Sequence, residues 1–206
     1  LSSAASDVYK RQSYNIMSFG NMKKENGQNP ILNYIKNSNA DIVCMQEYAG
    51  SETAKIHLSN KEIRQALKDY PYHNIKQVGK TGAGSQLACY SKFPILSARM
   101  LDYRSNYNGS MVYEIKIGKD TVLLINNHLE SNKLTREDKV VYEDMLKDPK
   151  AGKVKSGVRQ LVNKLAEASA IRSAQARTIA QEIAHSPYPS VIVCGDFNDS
   201  PISYAH

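Results

Sequence analysis

Three apolar runs in this chain end in side chains that could handle a cation, a water or a phosphate. Val191-Ile192-Val193-Cys194-Gly195 leads into Asp196 and Asn198, which stand two apart and therefore on one side of an extended backbone. Asp41-Ile42-Val43-Cys44-Met45-Gln46 ends in Glu47, and Val122-Leu123-Leu124-Ile125 leads into Asn126, Asn127 and His128. Asn15 lies among the larger side chains of Ser13–Phe19, where an unpaired amide would be costly. Each has a plain structural alternative. Asp, Asn and Gly are common turn residues, a lone histidine is usually structural, and a hydrogen bond would account for Asn15. Repetition gives the pattern its weight. Burying Glu47 without a cation or donor would be expensive, which makes it a candidate metal ligand. Two acids (Glu47, Asp196), two amides (Asn15, Asn198) and a histidine, with no Ser/His/Asp spacing or cysteine nucleophile evident, fit metal-assisted hydrolysis of a phosphate ester best.

Strands must carry these groups. Val191–Cys194 reads as a strand buried on both faces. Further strands are expected over 13–19, 41–47, 72–78, 86–90 and 95–103, with a hairpin of 111–117 and 121–127 around Gly118-Lys119-Asp120. Asn29-Pro30 is a helix N-cap followed by a proline at the first helical position, with Ile31, Leu32 and Ile35 on the apolar side. Helices are also expected over 61–70 and 134–147. A long one over 158–185 should turn Leu161, Leu165, Ile171, Ile179 and Ile183 to the core. Ser200-Pro201 resembles another helix start. Gly79–Gly84 lacks the Gly-Lys-Ser/Thr of a P-loop. Buried strands with functional groups gathered at one edge imply an α/β fold with a site at the strand ends. The order of hairpins and helices suggests mixed sheets packed face to face, with helices outside.

A chain of 206 residues with 41% hydrophobic content can bury a substantial core. Its net charge of +7 favours anionic partners. Much of that charge falls between Pro149 and Thr178 (Lys150, Lys153, Lys155, Arg159, Lys164, Arg172 and Arg177 against Glu167), where a solvated helix face is the plain reading. Cys44, Cys89 and Cys194 lie in apolar runs without metal-ligand spacing and read as reduced core residues. No apolar run approaches the ~18 residues that span a membrane. Residues 1–12 resemble translated adapter sequence and are read as a non-native leader, leaving 13–206 as the domain and the cellular location open.

Ser13-Tyr14-Asn15, Met45-Gln46-Glu47, Ser91-Lys92-Phe93-Pro94-Ile95, Asn127-His128-Leu129 and Gly195-Asp196-Phe197-Asn198, in this order, resemble the endonuclease/exonuclease/phosphatase superfamily, whose fold is that of DNase I and exonuclease III. The resemblance runs from about Ser13 to the last residue. It implies a four-layer α/β/β/α sandwich with two mixed sheets, and Mg²⁺-dependent hydrolysis of phosphate esters with Mn²⁺ as the alternative ion. It implies that Glu47 ligates the metal with Asn15 beside it, and that Asp196 orients or deprotonates the attacking water. Asn198 and His128 would donate hydrogen bonds to the phosphoryl oxygens. Arg172 and Gln175 match a recurrent Arg-x-x-Gln pattern, read as structural.

The chain stops before the later Asp and the terminal Ser-Asp-His of such proteins. The fold is therefore expected to be incomplete at its C-terminus, and the 206-residue chain inactive or nearly so, while its full-length parent hydrolyses phosphate esters. Tyr48-Ala49 stands where abasic-site endonucleases usually carry Thr-Lys, and Asp199-Ser200 where inositol-polyphosphate phosphatases usually carry Tyr-Arg. Secreted sphingomyelinases use exposed aromatic hairpins, whereas this chain has no Trp and three Phe. His128-Leu129-Glu130-Ser131 resembles the tyrosyl-DNA phosphodiesterase branch. A phosphodiester of nucleic acid or a nucleotide, hydrolysed by a monomer, is the leading expectation. The alternatives are a phosphatase or lipid phosphodiesterase of the same fold, or a non-catalytic anion-binding module.

Overall fold

Alternation along one strand sets the layers. Ile42 and Cys44 leave one face and Val43 and Met45 the other. In the computed structural model, which describes residues 10–20, 27–50, 58–79, 86–103, 105–147 and 155–199, this strand is β2 (Ile42–Tyr48). It lies second in a sheet with β1 (Arg11–Asn15), β4 (Gln86–Ser91) and β3 (Tyr72–Gln77), in the order β1-β2-β4-β3. β1 runs parallel to β2, and the other neighbours are antiparallel. The second sheet has the order β5 (Ile95–Met100), β6 (Gly109–Ile117), β7 (Asp120–His128) and β8 (Ser190–Asp196). Its last pair is parallel and the others antiparallel. The fold is thus the expected α/β arrangement with two mixed sheets.

The sheets face one another across Ile42, Cys44, Leu87 and Cys89 on one side and Met111, Tyr113, Ile115 and Leu124 on the other. Cys44 and Cys89 sit opposite each other on neighbouring strands, and all three cysteines are free thiols, as expected. Val43, Met45 and Tyr48 face outward against a second core containing Ile16, Phe19, Leu32, Ile35, Ile63 and Leu67. Burying one such aliphatic or aromatic side chain contributes about 1.5–3 kcal/mol relative to leaving it in water.

Two helices supply part of that outer core. In α1 (Pro30–Asn37) the Asn29 side chain accepts from Leu32 N at 3.1 Å, satisfying one of the free N–H groups of the first turn. In α2 (Asn60–Ala66) Ser59 and Glu62 form a reciprocal capping box. This helix ends four residues before the expected Tyr70; a turn follows, and Leu67 and Tyr70 are nonetheless buried. β1 starts at Arg11, two residues before the expected strand, and stops at Asn15. Met17, Ser18 and Phe19 have positive φ and form a 3₁₀ turn that an extended strand cannot accommodate. Val191–Cys194 forms a strand, but it is not buried on both faces as expected: β8 lies at the sheet edge and Val193 is 38% exposed.

The structure divides into two compact units, Leu1–His128 with His185–Asp196, and Leu129–Ala184 with Phe197–His206. The second unit contains α3 (Arg136–Lys147) and α4 (Lys155–Ala184). Thr135 and Asp138 cap α3 reciprocally, and Lys164 of α4 reaches Asp138 at 2.5 Å. Leu161 and Ile179 are buried as expected and Leu165 and Ile171 half-buried, but Ile183 is 39% exposed. The basic segment is not one solvated face, because Arg172 is buried. The Ser200-Pro201 helix start lies outside the described residues. Among the described residues, no helix is long and apolar enough to cross a membrane.

Candidate active site

Parallel pairing brings strand C-termini to the same edge. In the first sheet Asn15 of β1 stands opposite Gln46, one residue before Glu47 of β2. In the second, His128 of β7 stands opposite Asp196 of β8. Strict alternation would give Glu47 the outward face that Met45 occupies. A bulge between Met45 and Tyr48 prevents this: Glu47 adopts φ +52°, and Tyr48 takes the outward place. A non-glycine residue in the left-handed region is uncommon and strained, and here the surrounding sheet holds it.

The four strand ends meet within the first unit. Asn15 Nδ2 donates to Glu47 Oε1 at 2.9 Å and to Asp196 Oδ2 at 2.8 Å, so a single amide group joins two carboxylates from different sheets. His128 Nε2 lies 3.8 Å from Glu47 Oε1. His128 is buried, whereas the Glu47 side chain is 39% exposed, so the group opens to solvent on the Glu47 side. Asn15 Oδ1 accepts from Met17 N at 3.1 Å, which fixes the direction of the amide. Asn198 belongs to the second unit, where it has φ +52° and donates to Leu129 O at 2.9 Å.

Two carboxylates this close repel unless a donor or cation intervenes. Their oxygens are hard ligands, placed so that one small divalent ion and its waters could span them. Among the described residues, no group of three His, Cys, Asp or Glu side chains is gathered to hold an ion unaided. Asn15 could join the two carboxylates as a ligand only by turning its amide over and releasing Met17 N.

Behind the site lie polar residues to which the sequence motifs assign no role. Gln46, Asn126 and Asn127 are buried amides, each beside a strand end. Asn126 follows Leu124 on the face turned toward the first sheet, and an amide at that point of an apolar alternation was the available signal. In the second unit Arg172 donates to Glu130 O and Asn132 Oδ1 and pairs with Asp199 at 2.9 Å, while Gln175 Oε1 accepts from Glu130 N. Both residues are structural, in keeping with the reading of Arg-x-x-Gln.

A model of the Endonuclease/Exonuclease/phosphatase family matches residues 13–206. Comparison with curated proteins finds no match. Among solved structures, a humanized Danio rerio TDP2 is similar at a TM-score of 0.57 and 15% identity over 94% of this chain and 63% of that one. The hairpin-deleted beta toxin of Staphylococcus aureus gives 0.60 and 18%, over 95% and 69%. D. rerio TDP2 complexed with a single-strand DNA product gives 0.56 and 14%, over 93% and 61%. The chain thus spans between about three fifths and seven tenths of the length of these structures.

Proposed function

The chain belongs to the endonuclease/exonuclease/phosphatase family, and from that premise we propose that its parent protein is a metal-dependent phosphoesterase cleaving phosphodiesters of nucleic acid or a nucleotide. The observation that carries this reading is the Asn15 amide shared by Glu47 and Asp196, with His128 beside them. A bound Mg²⁺, or Mn²⁺ in its place, would neutralise charge on the phosphoryl oxygens. Glu47, with Asn15 beside it, would hold the ion. Asp196 would orient the attacking water and accept its proton. His128 would donate from Nε2 to a phosphoryl oxygen as negative charge builds.

The choice of a nucleic-acid ester is supported by the +7 net charge and by the structural neighbour that carries single-strand DNA. Convergence of four polar groups from four strands weighs against a non-catalytic anion-binding module, which needs positive charge rather than paired carboxylates.

Titration calorimetry of the full-length parent protein with MgCl₂, run beside assays on single-strand DNA, bis-p-nitrophenyl phosphate and p-nitrophenyl phosphate, tests the reading. Saturable Mg²⁺ binding that Glu47→Gln abolishes is expected, with diester cleavage preferred over monoester. Absence of both Mg²⁺ binding and hydrolysis would overturn it.

A further inference from the structure

Asn126 and Asn127 immediately precede His128 on β7, and both are fully buried, a costly place for two amides unless each is fully bonded. As neighbours on a strand they project to opposite faces. Asn126 points toward the first sheet. Its Oδ1 accepts from Gln46 Nε2 at 2.6 Å, and its Nδ2 donates to Ala88 O at 3.3 Å and reaches Met45 O at 3.5 Å. Gln46 directly precedes Glu47 and also donates to Ser13 Oγ, two residues before Asn15, at 3.1 Å.

Asn127 serves the other side. Its Nδ2 donates to Cys194 O, two residues before Asp196, at 2.9 Å. Its Oδ1 accepts from Ser110 Oγ at 2.5 Å, and Ser110 in turn bonds the Tyr103 hydroxyl. Backbone contact reinforces this link: a Cβ on Gly195 would stand 2.1 Å from Asn127 O.

We propose that Asn126 and Asn127 are positioning residues, Asn126 fixing the Glu47 bulge and Asn127 the Asp196 strand, both relative to His128. Apolar contacts between the sheets are non-directional and do not by themselves fix how one strand end stands against another. Hydrogen bonds with defined donors and acceptors do. The tandem amides stand where the apolar layer gives way to the polar edge, one bonding across to the first sheet and one along its own sheet. The assignment rests on the proposed site, but its geometry can be read without turnover.

The test follows the Asn15 side-chain NH₂ by NMR hydrogen exchange, with Mg²⁺ affinity measured in parallel. Replacing both partners, Gln46→Leu with Asn126→Leu, removes the polar bridge without leaving a lone buried amide, so the melting temperature is expected to change little. Exchange of the Asn15 NH₂ should nevertheless accelerate about tenfold or more, and Mg²⁺ affinity should fall by about the same factor. Asn127→Ala, the second variant, should give the same acceleration by releasing β8. Wild-type exchange in either folded variant would overturn the proposal. Accelerated exchange in the variants, with a wild-type protein that fails to bind Mg²⁺, would overturn the functional reading alone.

Discussion

Glu47 Oε1 and His128 Nε2 stand 3.8 Å apart although they belong to different sheets, β2 in one and β7 in the other. The pair places an anionic oxygen and a nitrogen donor at one edge of the inter-sheet layer. If the imidazole donates to a phosphoryl oxygen, His128→Ala should lower kcat by about 10²–10³ with a smaller change in KM, the usual cost of one donor to a developing oxyanion. Steady-state rates of the full-length parent protein on a diester substrate, with circular dichroism to confirm folding, check this.

Gly195 has φ +134°, and its Cα faces the backbone of Asn127. Gly195→Ala adds a side chain in a conformation that only glycine adopts readily. Strain alone should cost about 1–3 kcal/mol, and the contact with Asn127 O must also open. A lowered urea midpoint together with weaker Mg²⁺ binding is expected; an unchanged midpoint would show that β8 can move away freely.

Arg172 is buried and holds Asp199, Glu130 O and Asn132. Arg172→Met removes the guanidinium and leaves the part-buried Asp199 carboxylate without it, a change expected to cost about 1.5–3 kcal/mol, as for loss of a hydrogen bond to a charged group. Adding Asp199→Asn should recover part of the loss. Urea unfolding of the single and double variants measures the recovery.

The Lys164 ammonium, followed by the Thr135 backbone N–H, lowers the Asp138 pKa below its ordinary 3.8. A depressed folded-state pKa means that the carboxylate form stabilises the fold. Its contribution is complete well above pH 3.8 and is lost as pH falls below that value through the folded pKa. The stability difference between wild type and Asp138→Asn should therefore be largest near neutrality and shrink below pH 3.8. Denaturant unfolding across that range checks the sign.

Much of this architecture was legible because the signals were local. Asn29-Pro30 marked α1 to the residue, and the apolar runs around Val43 and Leu124 marked β2 and β7. Asn15, Glu47, His128 and Asp196 were all visible as polar groups at or near strand ends. Features set by tertiary contacts were not visible. Alternation misplaces Glu47, since nothing in Met45-Gln46-Glu47-Tyr48 announces a bulge. A four-residue apolar run reads as fully buried, and only the strand order shows β8 at an edge. Ile183 fits the helical period but falls beyond the buried stripe of α4. Asn126 interrupts an apolar alternation, but Gln46 looks like any surface amide until it is found facing Asn126.

The bond from Asn15 to Asp196 joins positions 181 residues apart. Closing so large a loop is entropically unfavourable until other contacts have brought the ends together. This centre therefore closes only on contacts made elsewhere in the fold, and a nascent polypeptide still lacking β8 carries Glu47 and His128 without the second carboxylate. The Glu47–Asn15–Asp196 group therefore cannot close until β8 has left the ribosome and paired with β7.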